Sequence, residues 1–243
     1  MKKLILLIII FSTISLAQTA EEILQKIDDN MVFKKAITTT KMIIHGRSRS
    51  RTIEAKSWGK GSELALVEYL SPAREKGKKM LKTEDKIWIY TPEPTDRIIT
   101  ISGHLMRQSV MGSDLSYEDI TDNSSMLDNY NASLQSDEII MERNCWVLEL
   151  IAKEKKVSYY KRKIWVDKER NLAIKEERFA KSGKLLKTTE ILDMFFQDNR
   201  WFPKHMKFKD VLSKGKGTEY FIESIVFDAD IPEHYFTKAG LKR

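Results

Sequence analysis

Among 243 residues there is one cysteine, Cys145, so no internal disulfide can form and a packed core must hold the fold. Its neighbours, Asn144 before it and Trp146-Val147-Leu148 after it, read as the start of a strand, which makes the thiol buried and inert rather than nucleophilic. The four histidines, His45, His104, His205 and His234, are scattered without the paired spacing that a metal site needs. There is no glycine-rich phosphate loop, no G-x-S-x-G elbow and no cysteine pair. No catalytic residue, metal or cofactor is therefore expected, and the balance moves from an enzyme toward a binding protein. No Pro/Gly/Ser linker or low-complexity tract interrupts Thr19 to Leu241, so a single domain is expected over residues 18–243. A dominant charge is lacking too: 42 basic residues face 35 acidic ones for a net +7, and the acids are interleaved. That describes a solvated surface rather than a nucleic-acid footprint.

Long apolar runs are also missing, with one exception. The opening MKKLILLIIIFSTISLAQ carries two lysines, an apolar run from Leu4 to Phe11 and small residues around Ser15-Leu16-Ala17, the layout of a cleaved signal peptide over residues 1–17. Ser12, Thr13 and Ser15 break the run before it reaches the roughly 20 residues that a permanent span needs. The mature chain is expected in the periplasm of a bacterium, which removes nucleic acid as a partner. No cysteine lies near the cleavage site, so no lipobox is expected. Losing the leader removes two lysines and leaves +5, with 40 basic against 35 acidic groups. Local clusters such as Lys76-Gly77-Lys78-Lys79 would still favour transient contact with anionic headgroups.

What the mature chain has in abundance is alternation. TAEEILQKIDDNMVFKKA places Thr19 and Glu22 at capping-box spacing and Ile23, Ile27 and Met31 on one helical face, so an amphipathic helix of about four turns is expected first. The period then drops to two. Strands are expected at 37–44, 52–58, 63–70, 86–92, 97–101, 134–141, 145–151, 159–166, 173–179, 185–195, 201–208 and 220–227. About a dozen antiparallel strands must close, or nearly close, into a barrel or sandwich to hide their edges. The inward residues are large, so the interior is wider than side chains alone fill well and calls for a helical plug or a ligand.

One stretch refuses to alternate. MRQSVMGSDLSYEDI, Met106 to Ile120, is too polar for a core helix and too apolar for an ordinary loop. Its acids Asp114, Glu118 and Asp119, with Asp122, lack the spacing of a calcium loop and read as a charged, solvated turn.

The same stretch completes a resemblance. Tyr69-Leu70-Ser71-Pro72-Ala73-Arg74-Glu75-Lys76-Gly77, then Ile87-Trp88-Ile89-Tyr90-Thr91-Pro92, then Met111-Gly112-Ser113-Asp114-Leu115-Ser116-Tyr117-Glu118-Asp119, and the tail Ile231-Pro232 to Phe236-Thr237, resemble the LolA-like superfamily of outer-membrane lipoprotein-sorting proteins. Within it the chain is similar to the branch carrying M-G-S-D-x-S-Y-E-D. The resemblance implies a mainly β fold: a half-open antiparallel β-barrel of about 11 strands, an N-terminal helix and short lid helices over the mouth. It also implies a hydrophobic cavity for the acyl chains of a lipid or lipoprotein, an inner-membrane transporter as donor and an outer-membrane protein as acceptor.

In that setting Leu105, Met106, Val110 and Met111 are expected on a lid ended by Gly112-Ser113 and fixed at its far end by Asp114, Tyr117, Glu118 and Asp119. The expected cavity wall is Trp58, Leu66, Tyr69, Met80, Trp88, Tyr90, Ile99 and Ile101, each at an alternating strand position. Sequence alone does not say which face of a doubly apolar strand points inward. The leading expectation is a periplasmic carrier. The alternative is an envelope scaffold or sensor, with the same barrel sealed by its own side chains.

Overall fold

The computed structural model describes residues 18–31, 33–61, 63–83, 86–121, 125–154 and 157–243. The expected leader, residues 1–17, lies outside them, and so does Asp122. Helix α1 (Ala20–Met31) starts on the expected capping box: the Glu22 N–H donates to Thr19 Oγ1 at 3.2 Å and the Thr19 N–H to Glu22 Oε2 at 3.1 Å. Its apolar stripe, Ile23, Leu24 and Ile27, is buried.

Strands β1 (Lys35–His45), β2 (Ser50–Lys60), β3 (Leu64–Ser71), β4 (Lys79–Thr83), β5 (Lys86–Thr91) and β6 (Arg97–Ile101) form a meander. After a crossing segment come β7 (Tyr130–Leu134), β8 (Glu138–Ile140), β9 (Arg143–Ala152), β10 (Lys161–Asp167), β11 (Leu172–Phe179), β12 (Leu185–Gln197), β13 (Arg200–Asp210) and β14 (Gly217–Phe227). All belong to one antiparallel sheet in the order β6-β5-β4-β3-β2-β1-β14-β13-β12-β11-β10-β9-β7, with β8 also on β9.

Two expectations need correction. The strands among the described residues number 14 rather than about 11 or a dozen. The segment Met80-Leu81-Lys82 of β4 is buried on both faces, so it carries no alternation to read. The single strand expected at 134–141 is instead β7 and β8, two short strands that share β9 as partner. Nor does the barrel close: among the described residues, β6 and β7 end the sheet without pairing with each other. The sheet nevertheless curls. Helix α1 packs on β7, β11 and β13, although a flat sheet would set β7 and β13 about 24 Å apart.

β6 and β7 are consecutive in the chain yet lie at opposite edges, so residues 102–129 run from one edge to the other. This segment contains 3-10 turns at Gly103–Arg107 and Val110–Gly112 and two short helices, α2 (Tyr117–Thr121) and α3 (Met126–Asn129). Cys145 is fully buried, and burial pushes its thiol up to about 11. Native protein at neutral pH should therefore resist a thiol reagent that labels the unfolded chain; rapid native labelling, read by intact mass, would contradict this burial.

Candidate functional site

The curled sheet has two faces, and the chain fills them differently. On the inner face of β1 to β6, Met42, Ile44, Ile53, Ala55, Tyr69, Met80, Ile87 and Ile101 form one apolar cluster. Leu105, Met106, Met111, Tyr117 and Ile120 of the crossing segment pack down on it. The inner face of β9 and β10 is covered by α1 and α3 through Ile23, Leu24, Ile27, Leu148, Leu150, Ile164 and Val166. Between these halves a space of about 230 Å³ remains, lined by Phe33, Thr38, Thr40, Ser57, Phe202, Pro203, Tyr220, Ile222 and Ile225.

The outer face of β2 to β5 is covered by the C-terminal tail. Tyr235 and Leu241, on the last two 3-10 turns (Glu233–Phe236 and Lys238–Lys242), seat against Trp58, Leu66, Leu81, Trp88, Tyr90 and Ile98. The twelve candidate residues are thus divided. Tyr69, Met80 and Ile101 are buried in the inner cluster, with Leu105, Met106 and Met111 laid over it and Val110 buried nearby. Ile99 shares the inward parity of Ile101 but is 38% exposed on the edge strand β6. Trp58, Leu66, Trp88 and Tyr90 lie on the opposite face, under the tail. β5 shows why sequence left this open: Ile87 and Ile89 pack on the inner cluster and Trp88 and Tyr90 on the outer one.

The crossing segment is held by polar latches rather than by sheet pairing. Met111 and Gly112 both adopt positive φ, +53° and +70°. A Cβ at Gly112 would stand 3.1 Å from Arg51 Nη2, whose guanidinium donates to the Met111 carbonyl, so the tight turn beneath this cation needs glycine. Asp114 accepts from Thr218 Oγ1 at 2.7 Å and from the Asp210 N–H at 2.9 Å.

Asp119, on α2, accepts from Tyr159 Oη at 2.6 Å, from Arg178 Nη1 at 2.8 Å and from Lys187 Nζ. Behind it Glu176 pairs with Arg178 at 2.9 Å and with Arg162. The expectation of a solvated acidic turn is therefore overturned: the side chains of Asp119 and Asp114 are 1% and 5% exposed, each facing cations and donors of the sheet. Glu118 alone of the three described acids faces outward, toward Arg107 at 3.7 Å.

Burial pushes the Asp119 carboxyl up, but the charges of Arg178 and Lys187 and the hydrogen bonds from Lys187 and Tyr159 outweigh it and leave the group lowered. The same contest, won by Arg162 and Arg178, lowers Glu176. Both carboxyls then bind fewer protons folded than unfolded, so their stabilisation is complete at neutral pH and is lost as pH falls from about 4 toward their lowered values. The thermal midpoint should drop steeply in that acid range, and Asp119→Asn should flatten the drop; an unchanged slope would count against the latch.

Beside the latch an open groove of about 940 Å³ runs along the rim, lined by Arg107, Ser116, Lys153, Tyr159, Lys181 and Lys187 among others. Among the described residues no group of three or more His, Cys, Asp or Glu could hold a metal, and no helix is long and apolar enough to cross a membrane.

Set beside known proteins, the chain matches over residues 61–243 a family model described as "-like: Uncharacterized protein". It is similar to the crystal structure of a DUF1329 family protein from Desulfovibrio piger, with TM-score 0.83 and 23% identity over 91% of this chain and 97% of that one. An outer membrane lipoprotein-sorting protein domain from Vibrio parahaemolyticus gives 0.81 and 26% identity over 92% and 98%. A LolA superfamily protein from Nitrosomonas europaea gives 0.72 and 24% over 92% and 99%. None of the curated proteins matches the chain.

Proposed function

We propose, from the likeness of its fold to an outer membrane lipoprotein-sorting protein domain and a LolA superfamily protein, that the chain is a periplasmic carrier that takes acyl chains of a lipid or lipoprotein onto its inner apolar face. The observation that carries this reading is the crossing segment. It covers the Met42–Ile101 cluster with methionine, leucine and tyrosine, and it is tied down by side-chain latches and not by strand pairing with the sheet. Removing it exposes an apolar trough without breaking a ladder hydrogen bond.

As it stands, the interior space of about 230 Å³ is smaller than the roughly 300–1,000 Å³ of ordinary ligand sites. The groove of about 940 Å³ is large enough but has a charged lining, so acyl chains enter instead by displacing residues 102–121, and each methylene buried there contributes about 0.8 kcal/mol. Unbranched Met106 and Met111 suit either role, packing on the empty trough or along a chain. The lipid-facing set under this proposal is Tyr69, Met80, Ile101, Leu105, Met106, Val110 and Met111, with Ile99 at the mouth. Trp58, Leu66, Trp88 and Tyr90 serve the seat of the tail. An inner-membrane transporter as donor, an outer-membrane acceptor and transient membrane contact complete the proposal, with no enzymatic step.

The test is lipid uptake by folded variants. Met106→Glu should cut retention of a fluorescent fatty acid by roughly tenfold or more, while Trp88→Glu should leave retention per folded molecule near wild type. Unaltered uptake in a well-folded Met106→Glu protein would remove the inner face from the assignment. The small size of the interior space also favours a second reading, an envelope scaffold or sensor. Protein purified without detergent that carries no lipid and takes up none would establish that reading instead.

A further inference from the structure

Resting on the carrier reading, the next question is what the cargo must contribute for the crossing segment to lift. The latch is a mixed-charge cluster contributed by separate elements. Arg162 on β10, Arg178 on β11 and Lys187 on β12 supply three cations, against Glu176 on β11 and Asp119 on α2. Only Asp119 belongs to the movable segment. Lifting α2 would leave three cations facing one carboxylate in a region where their side chains are 12–14% exposed. Uncompensated charge at such a site costs several kcal/mol, so opening is strongly disfavoured unless an anion arrives as Asp119 departs.

The geometry offers that anion a route and donors. Tyr159 and Lys187, two of the groups that hold Asp119 from outside the movable segment, also line the rim groove, where Lys153 and Lys181 add positive charge beside Glu154 and Asp210. The buried Arg178 Nε–H has no acceptor among the described residues even with the segment in place. The vacated positions of Tyr117 and Ile120, one residue from Asp119 or two, lie on the inner apolar cluster.

We propose that the cargo is a lipid with an anionic phosphate or carboxylate at its head, which replaces Asp119 on Arg178, Lys187 and Tyr159 while its acyl chains replace Tyr117, Ile120 and the lid methionines. The carboxylate of the protein then acts as a built-in mimic of the headgroup, and loading is an exchange of one anion for another.

The experiment delivers lipids from cyclodextrin to the mature protein and counts, by mass spectrometry after gel filtration, moles retained per mole of protein. Dioleoyl phosphatidate and dioleoylglycerol share their chains and differ in the phosphate. Phosphatidate should be retained roughly tenfold more or better. Lys187→Gln should erase most of that preference and Lys187→Arg should keep it, with circular dichroism and the unfolding midpoint of each variant recorded beside retention to separate lost charge from lost fold. Glycerol 3-phosphate, followed by calorimetry, should bind far more weakly than phosphatidate. Equal retention of the two lipids would overturn the anion requirement and leave the carrier reading standing. Retention of neither would overturn the carrier reading itself. Tight binding of glycerol 3-phosphate with no lipid retained would assign the cluster to a soluble phosphate and overturn the lipid source.

Discussion

Glu176→Gln should lower the unfolding free energy by about 3–5 kcal/mol, as removal of one partner from a buried ion cluster does. The register makes this position unusually sensitive. Arg162 and Arg178 stand directly opposite each other across β10 and β11, and Glu176 pairs with both guanidiniums. Glutamine keeps the shape and removes the charge, leaving two buried cations face to face with Asp119 on Arg178 as the remaining carboxylate, and like charges directly opposite are unfavourable even on exposed strands. Urea unfolding at neutral pH measures it. A change below about 1 kcal/mol would mean that water reaches the cluster and that it behaves as surface pairs do. Adding Arg162→Met to the variant should recover part of the loss, because it removes one of the stranded charges.

Truncation after Asp230 is the second large effect. The tail buries Ile231, Phe236 and Leu241 at 1%, 7% and 0% exposure and covers the aromatic outer face of β2 to β5. Without it Trp58, Trp88, Tyr90 and Leu66 become one exposed apolar patch, and the shortened chain should be recovered mainly as aggregate. The milder Leu241→Ala should keep the protein soluble and cost about 2–5 kcal/mol in the same unfolding measurement. A soluble, cooperatively folding truncated protein would show that the outer face is stable bare, and the seat assigned to Trp58 and Trp88 would fall.

Much of the architecture was legible from period alone. The capping box at Thr19 and Glu22, the β5–β6 hairpin and the run of strands from β9 to β14 all follow from local pattern and turn residues. β4 was not, because burial of Met80, Leu81 and Lys82 on both faces erases alternation. Which face of β5 looks inward depended on where residues 102–120 and the tail settle, and these are contacts between segments far apart in sequence. The latch had left a signal that went unread. Arg162 lies two residues before Ile164, so a charge sits at a position whose parity marks it as buried, whereas the register shift between Ala173 and Lys175 turns Glu176 to the face of Ile164 and away from that of Ile174. Asp119 read as part of a solvated turn because its partners come from β11 and β12, about 60 or more residues later in the chain, and spacing within a motif carries no trace of them.

The centre of the sheet has a consequence for how the molecule is made. β1 pairs along its length with β14, from Ala36 with Phe227 to His45 with Gly217, so the first and last strands of the chain are neighbours. A chain emerging from its N-terminus has no partner for that side of β1 until nearly all of it has appeared, and the loop to be closed is almost the whole molecule. Such a topology has high contact order and folds slowly, on the millisecond-to-second scale or longer. Until β14 arrives the β1 edge is open to other chains, so a chaperone that shields this strand should improve the yield of native protein more than one acting on any local hairpin.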